Sequence, residues 1–296
     1  MKAGFVALVG RPNAGKSTLL NRLVGQKVAI VSDKPQTTRT RIVGVRNGGE
    51  GQIVFIDTPG IHRPLHRMNV RMVDVAVQSI NQADVVCAVA DASESVGGGD
   101  EYFGTLLARA SHPVVLALNK IDRVAKPALL PLIDRWSRVA RFEDIVPVSA
   151  LTGENEGELV KALVRHLPDG EPLYPADYLT DQPERAFVAE LVREKVLRHT
   201  REELPFSSAV LMERFEEADE RGVMRLYCTI LVERESQKPI VIGRGGSMIK
   251  RIGTEAREEL ERFFGTRVFL DLRVKVRAGW REDPRLLDEI GLRDDG

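Results

Sequence analysis

Residues 10–17 of the sequence are Gly10-Arg11-Pro12-Asn13-Ala14-Gly15-Lys16-Ser17. They match the phosphate-binding pattern G-x-x-x-x-G-K-[ST], and they lie between a strand-like apolar run (residues 5–9) and a helix-forming run (residues 18–24). The glycines let the backbone curl so that successive N–H groups point at phosphate oxygens, and the helix N-terminus adds partial positive charge. We expect Lys16 to bridge the β- and γ-phosphates and the Ser17 hydroxyl to ligate Mg²⁺. The remaining residues expected around the nucleotide are Gly10, Asn13, Ala14, Gly15 and Thr18.

Outward from this loop, short apolar runs alternate with helix-length segments up to about residue 167. The predicted strands are residues 5–9, 53–56, 85–91, 114–119 and 145–149. Continuous apolar strands separated by helices indicate an α/β fold with a doubly wound, mostly parallel sheet. In such sheets ligands bind beyond the carboxyl ends of the strands. The polar loops that follow the strands are therefore expected to face one crevice.

One of these loops, Asn119-Lys120-Ile121-Asp122, indicates which base is bound. The Asp122 carboxylate can accept hydrogen bonds from guanine N1–H and the 2-amino group together, whereas adenine has neither donor. A site built around such bonds rejects the wrong ligand by about 10⁴–10⁵. We expect the Lys120 stem to lie along the base and Asn119 to tie this loop to the phosphate loop. Ser149 and Ala150, at the end of the last strand, are expected to offer a backbone N–H to guanine O6.

Two further loops have the composition of a metal and γ-phosphate site. Asp57-Thr58-Pro59-Gly60 follows a predicted strand, and we expect Asp57 to hold Mg²⁺ through water and the Gly60 N–H to sense the γ-phosphate. Upstream, Gln36-Thr37-Thr38-Arg39-Thr40 is a polar loop. A threonine there would complete the Mg²⁺ shell when triphosphate is bound; Thr38 is preferred and Thr37 is the alternative.

The composition sets bounds on the rest of the chain. The 296 residues contain 43 basic and 43 acidic side chains, and 43% are hydrophobic, as in a soluble globular protein of two domains. The apolar runs are too short to span a membrane, and the first residues leave no room for a signal peptide. Cys87 and Cys228 lie in strand-like runs and are expected to be core hydrophobes. We therefore expect a cytoplasmic protein.

A change of pattern near residue 168 indicates a second domain. The predicted organisation is a nucleotide-binding domain at 1–167, a proline-rich linker at 168–182 and a second domain at 183–296. The second domain is predicted to be α+β, with the order helix, hairpin, helix and strand. Its predicted elements are a helix at 183–199, strands at 206–215 and 223–232, a helix ending near 264 and a strand at 268–276.

The second domain contains a glycine-rich segment that lies within a positively charged stretch of the chain. Residues 234–281 hold twelve Arg and Lys against six Asp and Glu, a local net charge of +6 in a chain whose total is zero. Glycines let a backbone approach a sugar-phosphate chain closely, and cations attract it.

With these residues in place, the N-terminal half resembles the Era family of translation-factor-type GTPases, through its ordered nucleotide motifs and the QTTR at 36–39. Residues 241–249, VIGRGGSMI, resemble the GxxG segment of a type II KH domain. This resemblance implies that single-stranded RNA is contacted by Gly243, Arg244, Gly245, Gly246, Lys250 and Arg251. The resemblance covers essentially the whole chain. It implies GTP hydrolysis with Mg²⁺, in which Lys16, Thr38, Asp57 and Gly60 act at the reacting phosphate. It also implies binding of GTP and GDP and of the 3′ end of 16S ribosomal RNA, a role in 30S subunit assembly and rRNA maturation, and peripheral membrane contact. The resemblance implies no obligate protein partner.

The chain departs from better-known GTPases after residue 60. Ile61 stands where many of these enzymes have a glutamine that orients the attacking water, so we expect slow intrinsic hydrolysis. The sequence identifies no general base, although His62 and His66 are nearby titratable residues. Asn13 is expected either to help hold K⁺ beside the phosphates or simply to shape the loop. A constitutive RNA-binding protein that only senses GTP, and an ATP-dependent kinase, are the alternative functions.

Overall fold

A computed structural model describes residues 1–34, 36–61, 66–202 and 204–292. The chain divides into two compact units; the first contains most of residues 1–181, and the second contains the described residues from 182 to 292 together with 32–34 and 66–68. The strands are β1 Lys2–Val9, β2 Ile42–Gly48, β3 Gly51–Asp57, β4 Val85–Asp91, β5 Val114–Asn119, β6 Asp144–Pro147, β7 Ala209–Glu216, β8 Val223–Val232 and β9 Arg267–Val276. The helices are α1 Lys16–Val24, α2 Arg67–Gln82, α3 Gly98–Leu107, α4 Leu129–Ser137, α5 Glu156–His166, α6 Glu184–His199, α7 Leu204–Ser207, α8 Lys238–Ile242, α9 Ser247–Phe264 and α10 Pro284–Glu289.

The first unit contains a six-stranded sheet in the order β2-β3-β1-β4-β5-β6. All neighbouring pairs are parallel except β2 and β3, which are antiparallel. Apolar clusters cover both faces of the sheet, and each cluster includes side chains from the helices on its face. The α/β fold with a doubly wound, mostly parallel sheet is therefore confirmed. The carboxyl ends of β1, β3, β4 and β5 bring their following loops to one edge.

The edge strand β2 has no counterpart among the predicted strands. Its apolar part is short and is interrupted by Gly44, so the sequence pattern there is weak. Gly44 lies so close to α1 that a Cβ on it would be 2.7 Å from Val24 and 2.9 Å from Leu20. Tight packing of α1 against the sheet therefore requires the glycine that weakens the strand signal.

The proline-rich segment at 168–182 lies along the first unit. Gln52, which is fully buried in β3, accepts hydrogen bonds through Oε1 from the N–H groups of Leu173 (2.6 Å) and Tyr174 (2.9 Å). Its Nε2 donates to the Tyr174 carbonyl at 2.8 Å. Tyr174 stacks on Tyr178 with ring centroids 4.7 Å apart. We call residues 173–179 the strap. The boundaries at 167 and 183 stay predictions, and the first compact unit continues through the strap to Asp181.

The second unit contains a three-stranded sheet in the order β7-β8-β9. β7 and β8 are antiparallel, and β8 and β9 are parallel. Alternate residues of the strands, among them Val268 and Leu270 of β9, pack with α6 and α9 into one apolar core. The order of helix, two strands, helix and strand confirms the predicted α+β architecture of a type II KH domain.

Candidate functional site

The phosphate loop is formed where β1 ends at Val9 and α1 begins at Lys16. Gly15 has φ 94° and Asn13 has φ 63°, so the chain turns twice through the left-handed region. The Lys16 amine is buried and donates to the carbonyls of Gly10 and Arg11, both at 3.1 Å. Burial lowers the pKa of Lys16 to about 8, and the negative charge of Asp57 acts in the opposite direction. A cationic amine is thereby held across the loop where phosphates are expected.

Three oxygens converge beside this amine. The Ser17 hydroxyl lies 2.7 Å from Asp57 Oδ2 and 2.7 Å from the Thr38 hydroxyl, which is 3.1 Å from the same carboxylate oxygen. Asp57 is fully buried, and its Oδ1 has no hydrogen-bond partner among the residues that the structure describes. Burial raises the pKa of Asp57, against the opposing influences of Lys16 and of the hydroxyls of Ser17 and Thr38. This structure places Thr38, the preferred threonine, within this group.

The same three residues fit a magnesium ion. Mg²⁺ prefers hard oxygen ligands and is usually held by one or two carboxylates together with substrate phosphates and water. A buried carboxylate oxygen without a partner is costly, and a cation would satisfy it. No cluster of three or more His, Cys, Asp or Glu side chains able to hold a metal occurs within the described ranges. The arrangement therefore suits a metal shared with a nucleotide better than a metal held by the protein alone.

The loop after β3 packs against the phosphate loop. A Cβ on Gly60 would lie 2.8 Å from Pro12 atoms, so only glycine allows this approach. The N–H of Ile61 donates to the Gly10 carbonyl at 3.0 Å, and the Thr58 hydroxyl donates to the Leu8 carbonyl at 2.8 Å. These contacts bring Gly60 to the phosphate loop, as a γ-phosphate sensor requires.

The residues near this loop offer few groups for activating water. The Ile61 side chain is buried and apolar. His66 is exposed, and His62 lies outside the described residues. The site therefore contains charged and hydrogen-bonding groups, with no histidine engaged in it within the described part of the chain.

Residues 119–122, which we call the base loop, begin with a side chain that links two other loops. Asn119 is buried, its Nδ2 donates to the Ala14 carbonyl at 2.9 Å, and its Oδ1 accepts from the Ala150 N–H at 2.9 Å. One amide thus joins the phosphate loop, the base loop and the loop after β6. This is the position in which the sequence places Asn119.

The loop after β6 also orients Asp122. The Ser149 hydroxyl donates to Asp122 Oδ1 at 2.5 Å. The N–H groups of Ser149 and Ala150 both donate within the protein, to the Glu154 carbonyl (3.1 Å) and to Asn119 Oδ1 (2.9 Å). The expected donation from this pair to guanine O6 stays a prediction, because either N–H would have to be shared. The orienting hydroxyl of Ser149 is a role that the sequence does not reveal.

Two functional residues at this edge were not among those predicted from the sequence. Arg22 of α1 donates from Nε to the Ala150 carbonyl (3.2 Å) and from Nη2 to the Leu151 carbonyl (2.5 Å), so it supports the loop after β6. Asp91, the last residue of β4, pairs with the amine of Lys120 at 2.5 Å. Asp91 could have been suspected, because it ends a predicted strand at the ligand-binding edge. No local pattern marks Arg22.

The second unit presents its glycine-rich loop between α8 and α9. Gly243, Gly245 and Gly246 have φ of 74°, 59° and 78°, conformations that other residues rarely adopt. Arg244 is exposed on the same loop. The turn therefore presents backbone and one cation rather than bulky side chains.

The helix that follows the loop adds positive potential. α9 begins at Ser247, directly after Gly246, and no side-chain hydrogen bond caps it within the described residues. Lys250 and Arg251 lie exposed in its first two turns, and Arg251 is 3.6 Å from Glu255. An uncapped helix N-terminus beside exposed cations favours phosphate groups. The predicted RNA-binding residues are thus grouped around one exposed loop.

Comparisons with protein families divide the chain in the same way. A family model described as a 50S ribosome-binding GTPase matches residues 5–120, and a KH domain model matches residues 203–281. Among the described residues, no helix combines the length and the hydrophobicity that spanning a bilayer requires.

Similar proteins match over nearly the full length. GTPase Era of Geotalea daltonii is 50% identical over 289 residues, which cover 98% of this chain and 97% of the relative. GTPase Era of Heliobacterium modesticaldum is 46% identical over 292 residues, covering 99% and 97%.

Two solved structures share the whole architecture. A crystal structure of Era in complex with MgGDPNP and nucleotides 1506–1542 of 16S ribosomal RNA has a TM-score of 0.96 and 44% identity, covering 99% of this chain and all of that one. A single-residue variant of Aquifex aeolicus Era bound to GDP·AlF4⁻ has a TM-score of 0.95 with the same identity and coverage. Two nucleotide loops share one sheet edge, a KH unit follows them along the chain, and the similarity extends over nearly the full length. The chain therefore belongs to the Era family and is a GTPase.

Proposed function

We propose that this GTPase is a switch that binds the 3′ end of 16S ribosomal RNA through the loop at 243–246 and assists 30S subunit assembly and rRNA maturation. The observation that carries the proposal is the Era complex that holds MgGDPNP and nucleotides 1506–1542 of that RNA and superposes on nearly the whole chain. The exposed glycine loop and the net charge of +6 over residues 234–281 support RNA binding by this chain.

For the nucleotide, we assign a separate task to each loop. Asp122 recognises guanine, and Lys16 neutralises the β- and γ-phosphates. Ser17, Thr38 and Asp57 hold Mg²⁺, whose charge, when bound, offsets the charge that develops on the transferred phosphoryl group. Gly60 reports the γ-phosphate through its N–H. The buried oxygens around Asp57 and the link from Asn119 to Ala14 support these assignments.

Hydrolysis in this site depends on charge and positioning. A monovalent cation that the side-chain carbonyl oxygen of Asn13 helps to hold would supply positive charge in place of an arginine finger. In other GTPases an arginine finger is worth about 10³–10⁵ in rate. Asn13 is exposed on the phosphate loop, and its positive φ also fits a residue that only shapes the turn. Hydrolysis rates measured in K⁺ and Na⁺ buffers decide between the two roles, since equal rates would leave Asn13 with the shaping role alone.

The subunit to which the protein binds is argued from the second unit. The family model that names the 50S ribosome covers only residues 5–120 and so excludes the glycine loop. The complex with 16S RNA covers that loop as well. We therefore favour the 30S subunit. Cytoplasmic location stays a prediction from the sequence, and peripheral membrane contact stays a prediction from the family resemblance.

The test of the switch compares RNA affinity in two nucleotide states. A single-stranded RNA with the sequence of the 16S 3′ end is titrated with the full chain loaded with a non-hydrolysable GTP analogue or with GDP. We expect tighter binding in the triphosphate state, and faster GTP hydrolysis when the RNA is present. Equal affinities and an unchanged rate would instead support a constitutive RNA-binding protein. Competition with ATP, expected to be negligible, tests the kinase alternative.

A further inference from the structure

The end of β4 is fastened to the beginning of the base loop. In the parallel register of β4 and β5, Asp91 lies opposite Asn119. The N–H of Ala92 donates to the Asn119 carbonyl at 2.7 Å. Both strands end at the edge where ligands bind, so the side chain of Asp91 is placed beside the residue that follows Asn119, which is Lys120.

Asp91 and Lys120 form a close and mostly buried ion pair. The Lys120 amine lies 2.5 Å from Asp91 Oδ2, and the two side chains are 21% and 7% exposed. Asp91 Oδ1 accepts from the N–H (2.8 Å) and the hydroxyl (2.6 Å) of Ser93. Burial acts to raise the pKa of Asp91, but the hydrogen bonds from Lys120 and Ser93 outweigh it and hold the pKa below its usual value. Asp91 is therefore a fixed anion whose two oxygens both have assigned partners.

This anchor determines the path of the lysine stem. Lys120 has φ 65°, a left-handed conformation, and its Cε lies 3.8 Å from the position that a Cβ on Gly15 would occupy. The stem thus passes over the phosphate loop while its amine is held by Asp91. A free lysine stem samples many rotamers, whereas this one is fixed at its backbone and at its amine. A surface fixed before binding requires less ordering when a ligand packs on it.

We propose that Asp91 is a positioning residue for guanine binding, because it holds the Lys120 amine so that the lysine stem forms one wall of the base pocket. The inference rests on the proposed function, in which Lys120 lies along the base. Asp91 acts on the face of any purine, whereas Asp122 acts on the hydrogen-bonding edge of guanine. The two contributions can therefore be separated by the choice of nucleotide.

The experiment uses the full chain and two diphosphates, GDP and IDP, whose affinities are measured by calorimetric titration. IDP keeps N1–H but lacks the 2-amino group of guanine, so the ratio of the GDP and IDP affinities reports the hydrogen bond from that amino group to Asp122. A loss common to both nucleotides reports the packing of the Lys120 stem. The variants are Asp91→Ala, Lys120→Ala and the double variant.

We expect Asp91→Ala to lower the affinities for GDP and for IDP by the same factor, about tenfold, since one charged hydrogen bond is lost. Lys120→Ala should weaken both nucleotides by a similar factor. The double variant should lose no more than the worse single variant, because both changes remove one and the same wall. The ratio of GDP to IDP affinity should equal that of the unaltered protein in all three variants.

Other outcomes overturn the proposal. A fall in the ratio would mean that the whole base loop, including Asp122, has collapsed and that the ion pair is only structural. Unchanged affinities, or additive losses in the double variant, would mean that Asp91 does not act through Lys120. Asp91→Asn, which keeps the shape and removes the charge, guards against misfolding and should give a smaller loss with the same ratio.

Two controls complete the design. Asp134→Ala removes an exposed carboxylate that pairs with Arg138 at 2.7 Å in the same unit, and it should change neither affinity. The unaltered protein tests the underlying assignment separately. If it bound GDP and IDP equally, the role of Asp122 would fail, whatever Asp91 does.

Discussion

The nucleotide site differs in its design from residues 243–251, the glycine-rich loop with the start of α9, which we call the RNA loop. In the nucleotide site, polar side chains are buried and are already bonded to one another, as in the group of Ser17, Thr38 and Asp57. In the RNA loop, glycines expose the backbone, and Arg244 and Lys250 extend into solvent. Buried, oriented groups discriminate strongly between ligands, because a wrong ligand leaves them unpaired. Exposed cations contribute affinity that depends on salt and carries little sequence information.

This contrast predicts how a mutation in each site changes ligand binding. A single atom changed in the nucleotide site should alter which ligand binds, whereas a single cation removed from the RNA loop should alter only how tightly RNA binds. Four experiments test this contrast.

Asp122→Asn should have the largest effect. The amide cannot accept both guanine donors, so GTP affinity should fall by about 10³-fold or more, while xanthosine triphosphate, which has an oxygen in place of the 2-amino group, should bind better than before. Titrations with both nucleotides measure the switch, with Asp134→Asn as the matched control. Unchanged GTP affinity without any gain for xanthosine triphosphate would refute the base assignment.

The double variant Arg244→Asp with Gly245→Asp should come second. The new side chains obstruct backbone approach and repel phosphate, so affinity for a single-stranded 16S 3′ end should fall roughly 100-fold, with GTP affinity unchanged. The control, Arg138→Asp with Gly170→Asp, makes the same change of charge on the surface of the first unit. Normal RNA binding by the loop variant would remove the RNA assignment and leave the GTPase.

Lys250→Ala should have a smaller effect of a different kind. Loss of one phosphate contact should weaken every RNA sequence about equally and reduce the slope of log affinity against log salt by about 0.7. Affinities for two RNA sequences at two salt concentrations measure both quantities, with Lys161→Ala, in the first unit, as control. A loss confined to one sequence would show that Lys250 contacts a base.

The smallest effect concerns pH. Lys16 has a pKa of about 8 in the protein without ligand, and bound phosphates favour its charged form, so binding should take up protons as the pH approaches that value. Triphosphate affinity should then fall about twofold between pH 7 and pH 8, and further above it. Calorimetry in buffers of different ionisation enthalpy measures the uptake.

The same lysine has a consequence for stability. Its pKa is lower in the folded than in the unfolded chain, so its burial costs stability at low pH, and that cost is relieved as the pH rises above about 8.

Lys16→Arg is the control for proton uptake, because arginine stays charged. Uptake that persists in this variant would assign the proton to another group.

How far the sequence predicts the fold depends on the element. Predicted strands 85–91 and 114–119 agree with β4 and β5 at both ends, because both are continuous apolar runs buried on two faces. β2 was not predicted, because its glycine is explained only by the approach of α1. A strand is predicted from the spacing of its own apolar residues. A glycine that is needed only because a helix packs closely against the strand cannot be recognised from that spacing.

The candidate site shows the same limit. The loops that carry the motif residues lie at one edge, as the sequence predicts, because parallel strands end together. Asp91 and Ser149 were not assigned their orienting tasks, because these depend on which side-chain atoms meet across neighbouring loops. The residues predicted to contact the nucleotide form recognisable sequence motifs. The residues that orient those side chains belong to no such motif.

The strap covers a strand edge through which the first unit could otherwise aggregate. β2 is an outermost strand that contains Ile42, Val43 and Val45, and an open outer strand is a template for pairing with another chain. The strap occupies that position, since the Val45 backbone N–H donates to the Leu179 carbonyl at 2.8 Å and the Asn47 side-chain amide donates to the Ala176 carbonyl at 2.9 Å. At the opposite side of the sheet, β6 is only four residues long. The segment that connects the two halves of the chain therefore also protects the first half from aggregating strand to strand.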